Sequence, residues 1–153
     1  MDFDFFPIAI GCDHAGYALK AALAMALAEA GHAVLDMGCD SVDRADYPDY
    51  AHAVCRAIAV GRARFGVLVC GSGVGMSIAA NRHREIRCAL ASEVTTARLS
   101  RAHNDANVVA LGARLIGEVA ALEIVRNFLA TPYEGGRHDQ RLAKLAPAQG
   151  IPA

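Results

Sequence analysis

The sequence predicts a doubly wound α/β domain on a mostly parallel, five-stranded sheet with helices on both faces. Two observations carry this reading. Five short apolar runs alternate with five longer stretches of helical character, the rhythm of successive strand–helix units. Glycines and polar residues cluster just after several of the runs, where open α/β sheets hold their ligands beyond the carboxyl ends of the strands. With 153 residues, 54% of them hydrophobic, the chain can build one core and falls short of two, so 1–153 reads as a single domain.

In order, the expected strands and the helices that follow them are 7–11 and 15–30, 33–36 and 49–60, 65–70 and 74–81, 87–91 and 94–102, 107–111 and 117–130. Gly31 follows the first helix, Pro48 stands near the start of the second, and Gly61 closes it, as helix ends prefer. In the last of these helices Val119, Leu122, Val125 and Leu129 recur at three- and four-residue spacing, an amphipathic stripe. The segment Thr131-Pro132-Tyr133-Glu134-Gly135-Gly136 is a turn-rich connector. Beyond it, 137–146 reads as a short, strongly basic C-terminal helix with little apolar surface. Such a helix is expected to dock on a partner subunit rather than in its own core.

Fifteen Lys and Arg against sixteen Asp and Glu leave a net charge of −1, so no overall field holds the chain on nucleic acid or an anionic membrane. Five cysteines without a C-x-x-C pair fit neither a disulfide framework nor a zinc knuckle and read as reduced cytoplasmic thiols. The start Met1-Asp2-Phe3-Asp4 is acidic where a secretory signal is basic. Lys20 and Glu29 within 15–30 argue for a packed helix rather than a membrane span.

Four clusters stand at expected strand ends: Gly11-Cys12-Asp13-His14, the loop from Cys70 to Gly75, Ser92-Glu93, and Gly112-Ala113-Arg114. In the second, a thiol is followed by Gly71, Ser72, Gly73 and Gly75. That sequence sets Cys70 against backbone N–H groups at a helix start, where a thiolate is favoured and where the same groups can hold an oxyanion. The competing reading is a tight turn with a buried, inert cysteine. The loop is G-x-G-x-G, not the dinucleotide G-x-G-x-x-G, and lacks the G-K-[ST] ending of a triphosphate loop.

Asp13 and His14 offer a carboxylate and an imidazole to a hydroxyl-rich ligand, although Asp13 equally fits a helix cap. His103 and Asn104 end the fourth helix, where a polar cap is the alternative role. Arg137 and Arg141 share a helix face and can grip a phosphate or simply face solvent. His14, His103 and His138 lack the usual ligand spacing, so no metal is expected.

Together, G-C-D-H-A-G (11–16), D-Y-P (46–48), C-G-S-G-V-G (70–75), R-x-H-N-D-x-N (101–107) and Y-E-G-G-R-H (133–138) closely resemble the ribose-5-phosphate isomerase B and lactose-pathway sugar-phosphate isomerase family. The resemblance covers nearly the whole chain. It implies interconversion of ribose 5-phosphate and ribulose 5-phosphate through a cis-enediol, without metal or other cofactor, on a Rossmann-like scaffold. Allose 6-phosphate, galactose 6-phosphate and a tetrose phosphate are alternative substrates, and a non-catalytic sugar-phosphate-binding subunit is the competing role.

The resemblance further implies a homodimer, or a tetramer, whose active sites draw on both subunits. Cys70 corresponds to the base. Some relatives instead use a glutamate where this chain has Met76. By the same correspondence Ser72, Asp13 and Tyr47 meet the sugar, and the amides of Gly71, Gly73 and Gly75 hold the enediolate. His103, with Asn104 beside it, assists ring opening. His14, Arg114, Arg137, His138 and Arg141 take the phosphate.

Overall fold

A computed structural model describes residues 6–146, so the acidic start at 1–4 lies outside the described residues. The strands are β1 (Ile8–Cys12), β2 (Val34–Asp36), β3 (Phe65–Cys70), β4 (Cys88–Leu90) and β5 (Val108–Gly112). They form one sheet of order β2-β1-β3-β5-β4. All four pairings are parallel, so the sheet is wholly rather than mostly parallel. Helices α1 (Tyr17–Glu29), α2 (Tyr47–Ala59), α3 (Val74–Ala80), α4 (Val94–Asn104) and α5 (Glu118–Ala130) alternate with the strands.

Strand alternation sorts the core onto two faces. Ile8, Ile10, Val67, Val69, Val109 and Leu111 pack with Leu23, Leu27, Ala97, Ile124 and Phe128, covering one face with α1, α4 and α5. Ala9, Leu68, Cys70, Val108 and Ala110 face Ala51, Val54, Met76 and Ala80 of α2 and α3. Phe128 is completely buried, and truncating such a ring to alanine costs about 3–5 kcal/mol.

The helix ends follow their residues. Gly31 takes φ 90°, and the bonds His32 N–H to Leu27 O (3.0 Å) and Gly31 N–H to Ala28 O (3.0 Å) close α1 as a Schellman motif. Helix α2 begins two residues before the expected 49, because Pro48 fits its first turn. Glu93 at the Ser92-Glu93 corner is a cap, accepting from the amides of Thr95 and Thr96 at the start of α4.

Arg101 fixes the other end of α4. Its Nη1 bonds Asp105 Oδ1 at 2.8 Å and Ala106 O at 2.7 Å, and its guanidinium lies 4.8 Å from the Phe65 ring centre. Since Phe65 opens β3 and α4 starts after β4, α4 runs back across the sheet. It ends at the amino edge of the strands.

The tail departs from expectation. In place of a helix over 137–146, a 3₁₀ turn at Gly136–His138 leads into α6 (Asp139–Leu142), a single helical turn, with turns and bends to 146. So short a helix gains too few backbone bonds to propagate without an apolar face to bury. The start of the tail also packs on its own chain: His138 is buried, Glu134 N–H bonds Ala102 O at 3.0 Å, and the Tyr133 hydroxyl donates to Asp139 at 2.7 Å.

Candidate active site

Cys70 ends the central strand with its side chain on the α2/α3 face, 4% exposed. The Gly73 amide donates to Cys70 Sγ at 3.1 Å. Gly73 must be glycine there, with φ 78° and a hypothetical Cβ only 2.9 Å from the carbonyl carbon of Leu111. The loop is tied to the end of β5 by Ala113 N–H to Cys70 O (2.8 Å) and Arg114 N–H to Gly71 O (3.0 Å). Gly112 lets the Ser72 backbone approach, since a Cβ on it would meet Ser72 O at 2.7 Å.

Around this loop stand the other carboxyl-edge residues. The Arg114 guanidinium lies over Gly71, 3.3 Å from a Cβ built there. The Tyr47 ring covers Gly75, where a Cβ would come within 2.6 Å of its Cζ. Ser72 is exposed, and its hydroxyl accepts from Val74 N–H at 3.3 Å. Asp13 does cap the turn after β1, its Oδ1 accepting from Ala15 N–H (2.9 Å) and Gly16 N–H (3.1 Å). Its own amide bonds Val69 O at 3.2 Å, which anchors the first cluster to the strand that bears Cys70. His14 Nδ1 lies 3.2 Å from both the amide nitrogen and the carbonyl oxygen of Ala45.

A second group forms at the amino edge. His103, half-buried in the last turn of α4, stacks on His138 with centroids 4.5 Å apart and planes 15° apart. Glu134 Oε2 lies 3.7 Å from Nε2 of His103 and 3.6 Å from Nε2 of His138. Arg137 Nε–H reaches His138 Nε2 at 3.4 Å. Asn104 and Arg141 are exposed. The Asn104 carbonyl accepts from Arg87 Nε–H at 3.1 Å, just ahead of β4.

The expected site residues therefore divide. Asp13, His14, Tyr47, Cys70, Gly71, Ser72, Gly73, Gly75 and Arg114 gather at the carboxyl edge. His103, Asn104, Arg137, His138 and Arg141 belong to the opposite edge. The six residues of β3 separate those edges by roughly 16 Å at about 3.3 Å per residue.

Sequence reasoning gave no role to Glu134, which the structure places between the two imidazoles. Its signal was the four-residue spacing to His138. Lys20 was read only as a helix residue, yet it is buried and its Nζ bonds Asp36 (2.6 and 2.8 Å) and Cys39 O (2.9 Å). Burial pushes the Cys55 thiol up to about 12 and raises Cys12 and Cys88 as well. All three stay protonated at neutral pH and are unsuited to act as bases.

Residues 8–145 match the model of a family described as ribose/galactose isomerase. The chain belongs to that family. Ribose-5-phosphate isomerase B of Escherichia coli is 50% identical over 138 residues, 90% of this chain and 93% of the relative. The ribose 5-phosphate isomerase of Thermotoga maritima superposes with a TM-score of 0.90 at 48% identity, covering 92% and 97% of the two chains. The Mycoplasma genitalium ribose-5-phosphate isomerase B with bound ribulose-5-phosphate gives a TM-score of 0.88 at 36% identity over 92% and 94%. These two solved structures share the fold described above.

Proposed function

We propose that 1–153 forms one sugar-phosphate isomerase domain interconverting ribose 5-phosphate and ribulose 5-phosphate. The observation that carries this is the Gly73 amide aimed at Cys70 Sγ (3.1 Å) on the end of the central strand, in a chain whose relatives include ribose-5-phosphate isomerases. Cys70, as thiolate, takes the proton from C2 of the open-chain aldose. The electron pair moves into a C1–C2 double bond and the charge onto O1, where the amides of Gly71, Gly73 and Gly75 hold it. Return of the proton to C1 and transfer of the O2 proton to O1 leave the ketose.

Ser72, Asp13 and Tyr47 hold the sugar, and Arg114 and His14 begin the phosphate pocket. Ring opening falls to His103, flanked by Asn104, while Arg137, His138 and Arg141 complete the phosphate grip. A pentose phosphate cannot bridge the roughly 16 Å between the two edges of one chain. The second set therefore comes from another copy, giving a homodimer with two shared sites. Val74, Ile78 and Leu90 beside the Cys70 loop are 45%, 53% and 41% exposed, an apolar surface for that copy to cover. The five free thiols suit a cytoplasmic enzyme.

No helix among the described residues is long and apolar enough to cross a membrane. Within the same chemistry a six-carbon substrate is the second reading, since the family includes galactose isomerases and the reacting end is the same. Turnover of four-, five- and six-carbon aldose phosphates by wild type and Cys70→Ala tests the assignment. Cys70→Ala should lose about 10²–10⁴ in kcat with KM little changed. Near-normal turnover would remove Cys70 as the base.

A further inference from the structure

We propose that His103, Glu134 and His138 form an inhibitory zinc site. Their ligand atoms all lie within 4.8 Å of one another, and the carboxylate oxygen stands 3.7 and 3.6 Å from the two Nε2 atoms. A tetrahedral zinc with bonds of about 2 Å sets its ligands about 3.3 Å apart; the spacing is close to this, and the two imidazoles, stacked with planes 15° apart, turn out of their stack so that both Nε2 lone pairs point at the ion. Two imidazoles and one carboxylate are a familiar zinc donor set, leaving one position for water. The three residues come from two segments already tied together by Glu134 N–H to Ala102 O at 3.0 Å.

His138 Nε2 lies 3.4 Å from Arg137 Nε, so the guanidinium competes with an ion for that nitrogen. Arg137 is exposed, and its long side chain can turn to solvent when the ion arrives. Glu134 is also exposed, which opens the group to entry from water. Binding rests only on these residues. Inhibition rests on the proposed role of His103, because an Nε2 bonded to zinc can neither accept nor deliver the proton for ring opening.

The test titrates Zn²⁺ into the intact enzyme by calorimetry and follows isomerase activity in parallel, with Co²⁺ as the spectroscopic probe. Wild type should bind one zinc per chain, lose activity as that site fills, and regain it on chelation. Chelator alone should leave the untreated rate unchanged. Glu134→Gln keeps the backbone bond and should weaken zinc binding by at least about tenfold, the scale at which even a ligand's outer partners act, with inhibition read against the variant's own metal-free rate. Arg137→Ala should bind zinc more tightly, because a competing cation is gone.

Absence of binding, or affinity unchanged in Glu134→Gln, would overturn the site. A thiolate-to-cobalt charge-transfer band would also overturn it by assigning the ion to a cysteine. Zinc bound with full activity, and released in Glu134→Gln, would keep the binding site but refute the inhibitory reading. Cys70→Ala, assayed for zinc binding alone, should match wild type, which separates this proposal from the assignment of the base.

Discussion

A mixed dimer offers the sharpest test of the divided site. Cys70 ends β3, and His103 lies by the edge where β3 begins with Phe65. At about 3.3 Å per residue the strand alone separates these positions by roughly 16 Å. If each site pairs Cys70 of one copy with His103 of the other, Cys70→Ala and His103→Ala homodimers carry a defect in both sites. In a mixed dimer one site carries both defects and the other none. Random pairing at equal amounts makes about half the dimers mixed, so activity should recover to about a quarter of wild type.

The two variants, one of them tagged, are unfolded together, refolded and assayed for ribose 5-phosphate turnover, with tag capture measuring the mixed fraction. Mixed dimers that form in the expected proportion and stay inactive would refute the division between copies.

Three further outcomes follow from local geometry. A Cβ on Gly16 would lie 2.5 Å from Val69 O, a backbone atom that cannot swing away, so Gly16→Ala should destabilise the fold by about 1–3 kcal/mol in urea denaturation. Unchanged stability would mean that the β1 turn shifts freely. His83 Nε2 lies 2.7 Å from His52 Nδ1, and burial first, then His52 and Arg56, lower its pKa below the ordinary 6.5. Its neutral-state stability is complete above 6.5 and is lost as pH falls from 6.5 through the lowered folded value. His83→Gln should flatten that part of the stability–pH curve. Arg137→Ala and Arg141→Ala should each raise KM for the phosphorylated sugar, with a smaller effect on its unphosphorylated analogue; equal effects on both would make these arginines structural.

The α/β order was legible because five apolar runs of strand length each precede a helical stretch, and the Cys70 loop because its glycines mark the turn between them. The division of the site was implicit in the same alternation. A helix that follows a parallel strand runs back, so residues at its end lie at the edge opposite the preceding strand's tip. The form of the tail was not legible, since a four-residue helix is decided by contacts distant in sequence, here His138 on His103. Asp13 suited both a cap and a ligand by residue type; only the bonds from Ala15 and Gly16 establish that it caps. Glu134 sat in a connector whose approach to Ala102 no local pattern encodes.

Strand β3 is flanked on both sides by hydrogen-bonded neighbours, and five of its six residues are buried. Its amides can exchange with solvent only when the sheet itself opens, whereas the exposed turns of the tail can open by local fluctuation. On the proposed assignment, the base is carried by the buried centre of the sheet and two of the phosphate-binding arginines by the exposed tail. Under mild denaturant, substrate affinity should fade while the sheet and its thiol remain in place, making binding rather than folding the first casualty of stress.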